Sequence, residues 1–309
     1  MTSATKPLVQ KGARCPRTVA MLQLRWVFVL LAFPLAAVAA EPAATLTLLE
    51  GPAGLVRGVT RYALAEGVRL QTGDIIEVGD KTLAEIEFPD GTAIALGAGT
   101  RMLAVSMPRG KTAVGDYYLT QGTLKVAGVS KAARLRFFTP AFTLQPVEGV
   151  TVVIVRGGAG SVFVESGGAR LTAPPATLSL KSGEFYSRPA GQKGTVAPRP
   201  APAFIESMPK AFFDPLPSRM ARYKDRETQP KRIDEVSYGD VETWLKAPPG
   251  IRRPLVTRFE PRASDPKFRA ALEANMRFHP EWDPVLFPEK YEEKETAGEA
   301  AGARPAATK

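Results

Sequence analysis

Residues 70–96 read LQTGDIIEVGDKTLAEIEFPDGTAIAL, and this stretch predicts an all-β fold. Within it, LAEIEF (residues 83–88) alternates, so that alanine, isoleucine and phenylalanine share one strand face while Glu85 and Glu87 share the other. The PDG that follows favours a tight turn, because proline presets φ, aspartate binds its own backbone and glycine accepts a positive φ. The chain then returns with further apolar alternation, which indicates a β-hairpin.

The same stretch carries six carboxylates, which raises the question of a catalytic or metal site. They are Asp74, Glu77, Asp80, Glu85, Glu87 and Asp90. Alternation points Glu85 and Glu87 to water, where a carboxylate does not gain the raised pKa of a general acid. Asp74 and Asp90 lie beside glycine in corners, and the spacing does not match a calcium loop. We therefore interpret the acids as structural and predict no enzymatic activity and no catalytic, cofactor-binding or metal-binding residues.

Short strands punctuated by glycine continue from residue 44 to residue 188 without a useful helical period. Two of the predicted strands, 116–119 and 123–126, flank Gly122 in a recurring polar–glycine pattern that indicates corners. The residues assigned to turns are Gly73, Asp74, Asp90, Gly91, Gly122, Gly167 and Gly183. Their uneven spacing favours a mainly β fold, as a compact β-sandwich, barrel or β-roll domain over residues 41–190, rather than a regular solenoid.

The N-terminal region has the pattern of a secretory signal peptide, which we assign to residues 1–40. Residues 21–40 read MLQLRWVFVLLAFPLAAVAA, with Arg25 before an apolar run that ends in small residues. Cleavage after Ala39 or Ala40 is expected, which predicts a periplasmic protein without a stable membrane span in its mature form. A retained anchor is the alternative, and either Met1 or Met21 could be the start.

Composition narrows the partner classes. The chain has 41 basic and 31 acidic residues, but five of the basic residues and none of the acidic ones precede residue 41, which leaves a net charge of +5. A mildly basic mature chain does not demand nucleic acid, and we predict none as a partner. The lone cysteine, Cys15, lies before the expected cleavage site, so the mature chain has no thiol nucleophile and no disulfide.

The chain changes character after residue 190. Residues 191–202 (GQKGTVAPRPAP) predict a Gly/Pro-rich linker. Residues 203–291 predict a small α-helical module, with helices near 203–213, 237–245 and 265–276. The tail, residues 292–309, has the composition of a disordered segment.

The helical module also supplies candidate binding and catalytic groups. Aromatic and basic residues there could form a small core or a partner surface, and the surface hypothesis rests on Trp244, Arg252, Arg253 and Trp282. His279, the single histidine, is interpreted as a contact at a helix C-terminus. The least favoured alternative is a carboxylate-dependent glycan hydrolase that uses Asp240, Glu242, Glu281 or Asp283.

Residues 51–102 resemble the periplasmic FecR domain family. The residues that carry the resemblance are Gly58-Val59, Leu70-Gln71-Thr72-Gly73-Asp74, the alternation at 83–88, Asp90-Gly91-Thr92 and Thr100-Arg101-Met102. The family's later part also looks present at Thr139-Pro140, 161–167 and 180–185, so the resemblance spans roughly residues 45–190. It implies a non-enzymatic β-domain in the envelope of a Gram-negative bacterium.

The best-known members of that family are single-span regulators with a cytoplasmic anti-sigma domain. This sequence has at most 25 residues before its apolar run, so it looks like the secreted, stand-alone variety. The leading prediction is therefore a non-enzymatic binding, scaffolding or signalling protein whose partner is an envelope protein or a cell-wall polymer. A signal-anchored periplasmic regulator is the alternative, and the oligomeric state is left open.

Overall fold

The computed structural model describes residues 44–108, 114–129 and 134–291. The predicted signal peptide (1–40) and the predicted disordered tail (292–309) lie outside the described residues. Within those three ranges, no helix combines the length and the apolar character needed to cross a membrane.

Strands dominate the described residues and join in one fifteen-stranded sheet, so the predicted mainly β architecture is confirmed. The strands are β1 (Thr45–Glu50), β2 (Ala53–Arg57), β3 (Thr60–Ala63), β4 (Ile75–Val78), β5 (Leu83–Glu87), β6 (Ala93–Leu96), β7 (Arg101–Ser106), β8 (Val114–Val129), β9 (Arg134–Phe138), β10 (Thr143–Arg156), β11 (Ala159–Ala173), β12 (Ala176–Lys181), β13 (Phe185–Arg188), β14 (Thr195–Ala197) and β15 (Lys231–Glu235). The predicted hairpin is β5 and β6, which pair with Ile86 opposite Ile94.

Long strands carry the sheet from one layer into a second layer. The first half of β8 pairs with β7 and β9, whereas its second half pairs with β6 and β10. The change of partners coincides with Gly122, whose φ is 116° and where a Cβ would lie 2.4 Å from the Cα of Thr100. Only glycine tolerates that combination of left-handed backbone and close approach.

Gly122 therefore bends a strand without ending it, which corrects the prediction of two strands separated by a corner. Gly167 is a second case, because it lies inside β11 opposite Gly149 of β10 and both have a positive φ. Gly73 and Gly183, with φ of 89° and 86°, instead lie in turns between strands. The sheet folds over on itself in this way but does not close.

Apolar side chains from both layers fill the space between them. On β5 and β6, the inward residues are Ala84, Ile86, Ile94 and Leu96, as the alternation predicts. They meet residues from the opposite layer and from the long strands, including Leu55, Ile76, Leu119, Leu124, Phe137, Leu144, Val153 and Leu171. Burial of these side chains is the main source of stability for the sheet.

Helices follow the sheet in the chain. They are α1 (Pro202–Ser207), α2 (Tyr238–Leu245), α3 (Pro249–Phe259), α4 (Pro266–Ala274) and α5 (Asp283–Leu286), with 3₁₀ turns at Lys210–Phe212, Met220–Tyr223, Glu260–Ser264, Met276–Phe278 and Pro280–Trp282. Ser237 caps α2 in a capping box with Asp240, and Asp265 caps α4 by accepting from the backbone N–H of Phe268 at 2.8 Å. Pro249 begins α3, because proline is well tolerated at the first helical position.

The C-terminal part also contributes strands, which the sequence analysis did not predict. Residues 191–202, predicted as a linker, contain β14, and residues 203–291, predicted as a helical module, contain β15, which extends the sheet beside β3. All five residues of β15 are exposed, and Ile233 is its single apolar side chain. A strand of that composition carries no hydrophobic alternation.

The C-terminal part covers both outer faces of the sheet. Phe204, Met208 and Phe212 pack on the face that includes Val152 and Ile154. A second cluster joins helices α2 to α5 to the opposite outer face, where the sheet contributes Val56, Ile75, Leu103 and Tyr118. The described residues after 44 belong to one compact unit.

Arg258 of α3 fixes the helices to the sheet through backbone carbonyls. Its guanidinium donates to the carbonyl oxygens of Gly58 and Val56, at 2.9 Å each, and to that of Gly73. Burial lowers the pKa of Arg258 to about 10, so the group remains charged at neutral pH. A single side chain thereby connects the helical layer to two turns of the β-domain.

Candidate functional site

The acid-rich stretch supplies three buried carboxylates, and the chain itself binds all three. The first is Asp74, which accepts from Arg57 at 2.9 and 2.6 Å and from the backbone N–H of Gln71 at 2.8 Å. The hydrogen bond with Asp74 raises the pKa of Arg57. Asp74 thus closes the turn before β4. In the same turn, the carbonyl oxygen of Gly73 accepts a hydrogen bond from Arg258.

Glu85 and Glu87 are buried, which corrects the prediction that they point to water. They do lie on the face opposite Ile86, but that face is covered by residues far along the chain. Alternation assigns residues to two faces of a strand, and it does not show whether the second face meets water or protein.

We call residues 202–220 the strap, because they lie across this outer face and bind its charged groups. Glu87 accepts from the hydroxyl group of Ser218 at 2.6 Å and from the backbone N–H groups of Arg219 at 2.7 Å and Met220 at 3.2 Å. Glu85 forms an ion pair with the guanidinium of Arg219. Two carboxylates of one strand therefore hold three consecutive residues of the strap.

The environments shift the two carboxyl groups in opposite directions. Burial raises the pKa of Glu85, and the nearby charge of Arg219 offsets this only in part. Burial also acts on Glu87, but hydrogen bonds from Ser218 and from backbone amides of the strap outweigh it and lower its pKa. Glu87 is the carboxylate that the strap stabilises in its charged form.

Lys125 of β8 binds the strap in the opposite sense, as a donor to carbonyl groups. This buried ammonium group donates to the carbonyl oxygens of Phe212 and, at 3.2 Å, Asp214, and it lies 3.4 Å from the carboxylate of Glu165. An unpaired buried ammonium would be strongly destabilising, so these partners are needed for its burial. The sequence gives no signal for this, because alternation places Lys125 with Thr123 on the polar face of β8 and the covering residues lie more than 80 positions later.

The other acids of the stretch have separate roles. Asp90 accepts from the backbone N–H of Thr92 at 3.0 Å in the β5–β6 turn, beside Gly91 with φ of 87°. Glu77 lies 3.6 Å from Arg101, and burial raises the pKa of its carboxyl group. Asp80 is exposed in the turn before β5.

The predicted partner surface is only partly on the surface. Trp244 and Trp282 are fully buried in the helical cluster, so neither can contact a partner in this structure. Arg252 is engaged with Glu281 through two hydrogen bonds of 2.9 Å. Arg253 remains accessible, with 70% of its side chain exposed.

His279 is the C-cap of the 3₁₀ turn Met276–Phe278, at the helix end where the sequence analysis placed it, and its side chain is buried. Its Nε2 lies 3.2 Å from the hydroxyl oxygen of Tyr238. Burial lowers the pKa of His279, and the positive charges of Lys246 and Arg252 act in the same direction. Its Nδ1 has no hydrogen-bond partner among the described residues. The imidazole is therefore held neutral inside the helical layer.

The carboxylates considered for glycan hydrolysis are all engaged with neighbours. Asp240 belongs to the capping box and lies 3.0 Å from Arg61, and Glu242 lies 2.5 Å from Lys246. Asp283 accepts from the hydroxyl group of Tyr291 at 2.6 Å. Among the described residues, no cluster of three or more His, Cys, Asp and Glu side chains is arranged to hold a metal ion.

A groove of about 370 Å³, which the sequence analysis did not predict, opens where the strap meets the sheet. Its wall on the strap side is formed by residues 207–211, which include Ser207 and Lys210. Ser207 donates to the carbonyl oxygen of Phe204 at 2.8 Å, so its hydroxyl proton is already engaged. The groove joins residues from six separated parts of the chain, which is why no local sequence pattern marks it.

Comparison with known proteins finds no matching family model and no matching curated protein. Two crystal structures of a "putative anti-sigma factor" from Parabacteroides distasonis ATCC 8503, at 2.50 and 1.65 Å resolution, match part of the fold. Sequence identity is 16% and 15%, and the TM-score is 0.36 in both cases. Each match covers 40% of this chain and 59% of the other, so the chain spans less than two-thirds of the length of these structures.

Proposed function

We propose that this chain is a non-enzymatic binding or scaffolding protein of the cell envelope, built on a FecR-type β-domain. In this proposal the protein is exported to the periplasm, and its partner is an envelope protein or a cell-wall polymer. The support from sequence is the order and spacing of the corner residues between 51 and 102, together with the signal-peptide pattern of residues 21–40.

One structural observation carries the proposal: the buried acids of the central stretch are occupied by contacts within the chain. Asp74 is bound by Arg57, Glu85 by Arg219, and Glu87 by the strap. A pair of catalytic carboxylates has to converge on a cleft that the substrate can enter. Carboxylates used in this way favour a rigid binding surface over a reactive centre.

The remaining accessible groups are of the kind that binding surfaces use. Phe278 is exposed between two cations, with Lys246 at 4.6 Å and Arg277 at 4.5 Å from its ring centre. Arg253 adds a further exposed charge on the helical layer. Aromatic and arginine side chains are enriched in protein interfaces, and they also suit anionic polymers.

Cosedimentation tests the proposal directly. The purified protein is mixed with isolated cell-wall sacculi and, separately, with envelope membrane vesicles, and an unrelated protein of similar size and net charge serves as the control. We expect saturable retention on one of these fractions, above the control at 150 mM salt. Retention no greater than that of the control on both fractions would contradict the proposal, as would turnover of a glycan substrate by the purified protein.

The signal-anchored regulator differs from this proposal in the fate of residues 21–40. Intact-mass measurement of the protein recovered from the envelope separates the two. A mature chain that begins near Glu41 supports the exported form, whereas a chain that keeps the apolar run supports the anchored regulator.

A further inference from the structure

The groove beside the strap carries an excess of positive charge. Its rim carries Lys81, Arg156 and Lys210 against a single acid, Glu50. Within the residues that the structure describes, none of the three cations has a carboxylate oxygen within 4 Å. The groove therefore presents two uncompensated positive charges.

Two further surface grooves carry no excess of positive charge. One contains Arg61 and Arg101 together with Glu77 and Asp80, and its Arg101–Glu77 distance is 3.6 Å. The other contains Arg262 and Lys267 together with three acids, Asp234, Glu235 and Asp265. In that groove Arg262 is already paired with Glu235. Excess positive charge thus distinguishes the groove beside the strap from these two grooves.

Lys81 adds a conformational observation to the charge count. It has φ of 58° and is the single non-glycine residue with a positive φ among the described residues. A lysine in this left-handed region costs about 1 kcal/mol relative to glycine, so the turn before β5 presents this side chain at some expense to stability.

The walls of the groove are well anchored. Pro209 packs so closely against Gly97 that a Cβ there would lie 2.9 Å from the proline Cγ. Met208 is buried against the sheet, and Thr82 donates to the carbonyl oxygen of Pro52 at 3.2 Å. These contacts fix the backbone that carries Lys210 beside the same groove as Lys81. No ion pair with an acid is needed to hold Lys210 there.

We propose that this groove binds a phosphate monoester. Two uncompensated positive charges match a group that carries a charge of about −1.5 to −2 at neutral pH, and a single carboxylate would leave half of the excess unmatched. Arg156 can bind two oxygens at once, whereas the lysines act as point charges. The size suits a compact ligand or the end group of a larger molecule, because pockets for small molecules begin at about 300 Å³.

Apolar groups on the floor and walls define the rest of the ligand. Leu83, Ala98, Met208, Pro209 and Ala211 line the groove beside its charged rim. They fit the carbon skeleton that carries the phosphate, such as the C–H face of a sugar. This inference rests on the proposed function, since it names the chemistry of an envelope ligand.

Calorimetric titration of the purified protein in a phosphate-free, low-salt buffer tests the inference. The soluble probes are glucose 6-phosphate and inorganic phosphate, and glucose is the uncharged control. We expect saturable binding of the two phosphates and none of glucose, with weaker binding as salt rises. Absence of saturable binding for both phosphates and for the lipid phosphate below overturns the inference.

Matched variants assign the binding to the groove. Lys81→Gln/Lys210→Gln should weaken binding at least tenfold, whereas Lys181→Gln, an exposed lysine on β12, should stay within twofold. Arg156→Gln, at the end of β10, provides an independent variant in another part of the chain. Equal binding by the wild type and all groove variants would overturn the assignment even if phosphate binds.

Vesicles identify the source of the phosphate group. Retention on vesicles that contain phosphatidic acid but not on phosphatidylcholine alone, lost in Lys81→Gln/Lys210→Gln, assigns a lipid headgroup. Binding of soluble phosphates alone assigns a soluble or glycan phosphate. If phosphate binding fails while the wild type still cosediments with the envelope fraction, the inference is overturned and the proposed function is not.

Discussion

The hydroxyl group of Ser218 donates to the carboxylate of Glu87 across 2.6 Å, although the two residues are 131 positions apart in the chain. This contact joins the C-terminal part to the β5–β6 hairpin of the β-domain. The strap is held mainly by backbone atoms, since Glu87 binds two of its N–H groups and Lys125 two of its carbonyl groups. Charged side chains of the sheet thereby satisfy backbone N–H and carbonyl groups of the strap that a neighbouring strand would otherwise bind.

Glu87→Gln should loosen the strap. The substitution removes the charge and turns an NH₂ donor toward strap N–H groups, so we expect a loss of about 1–3 kcal/mol in the free energy of unfolding. Urea denaturation measures this loss, and limited proteolysis should cut sooner within residues 213–218, most of which are exposed. Glu148→Gln, at an exposed position of β10, is the control and should change neither readout. Unchanged proteolysis in Glu87→Gln would show that this carboxylate does not hold the strap.

Arg258→Lys should separate the helical layer from the sheet. A lysine keeps the charge but cannot reach three carbonyl groups, so we expect about 2–4 kcal/mol of lost stability. Hydrogen exchange should increase most at the turns that contain Gly58 and Gly73. Arg253→Lys, at an exposed position in the same helix, should have no effect on either measurement. Equal exchange at both turns in the two variants would contradict the role given to Arg258.

The sequence predicted the local β-structure well because that structure depends on local patterns. The β5–β6 hairpin, its Pro-Asp-Gly turn and the inward side chains of both strands all follow from period-two alternation and turn chemistry. The helices predicted near 237–245 and 265–276 correspond to α2 and α4, whose N-caps are Ser237 and Asp265.

The wrong predictions concern whether the outer face of a strand or helix meets solvent or distant residues of the same chain. Glu85 and Glu87 were assigned to water because a strand pattern contains no information about the strap, which is more than 110 residues later. For Trp244 and Trp282, the interpretation as a small core agrees with the structure, whereas the alternative of a partner surface was wrong, because short helices rich in proline show no clear apolar face. The groove beside the strap escaped prediction for the same reason, since its cations come from three distant parts of the chain.

Substituting the buried tryptophans should affect stability rather than a contact surface. Trp244→Ala or Trp282→Ala should each cost about 3–5 kcal/mol, because both side chains are fully buried. Arg253→Ala should stay within about 0.5 kcal/mol. Thermal and urea denaturation provide the comparison. A tryptophan variant with wild-type stability but impaired envelope retention would restore the partner-surface hypothesis for that residue.

Acidification should destabilise the protein through His279. Its pKa is lowered by burial and by the nearby charges of Lys246 and Arg252, while Glu281 opposes them. As pH falls through about 6.5, the unfolded chain takes up a proton that the folded chain resists, so stability decreases with a slope of at most about 1.4 kcal/mol per pH unit. Above that pH the contribution is constant.

Because His279 is the only histidine, its titration can be isolated by a single substitution. His279→Gln keeps a polar group near Tyr238 but cannot gain this charge, so its stability should change little between pH 7.5 and 5.5, whereas the wild type should lose stability, by at most about 1.4 kcal/mol. Carboxyl groups titrate mostly below this window and affect both proteins alike. Urea denaturation at pH 7.5, 6.5 and 5.5 compares the two slopes, and identical slopes would assign the pH dependence to other groups.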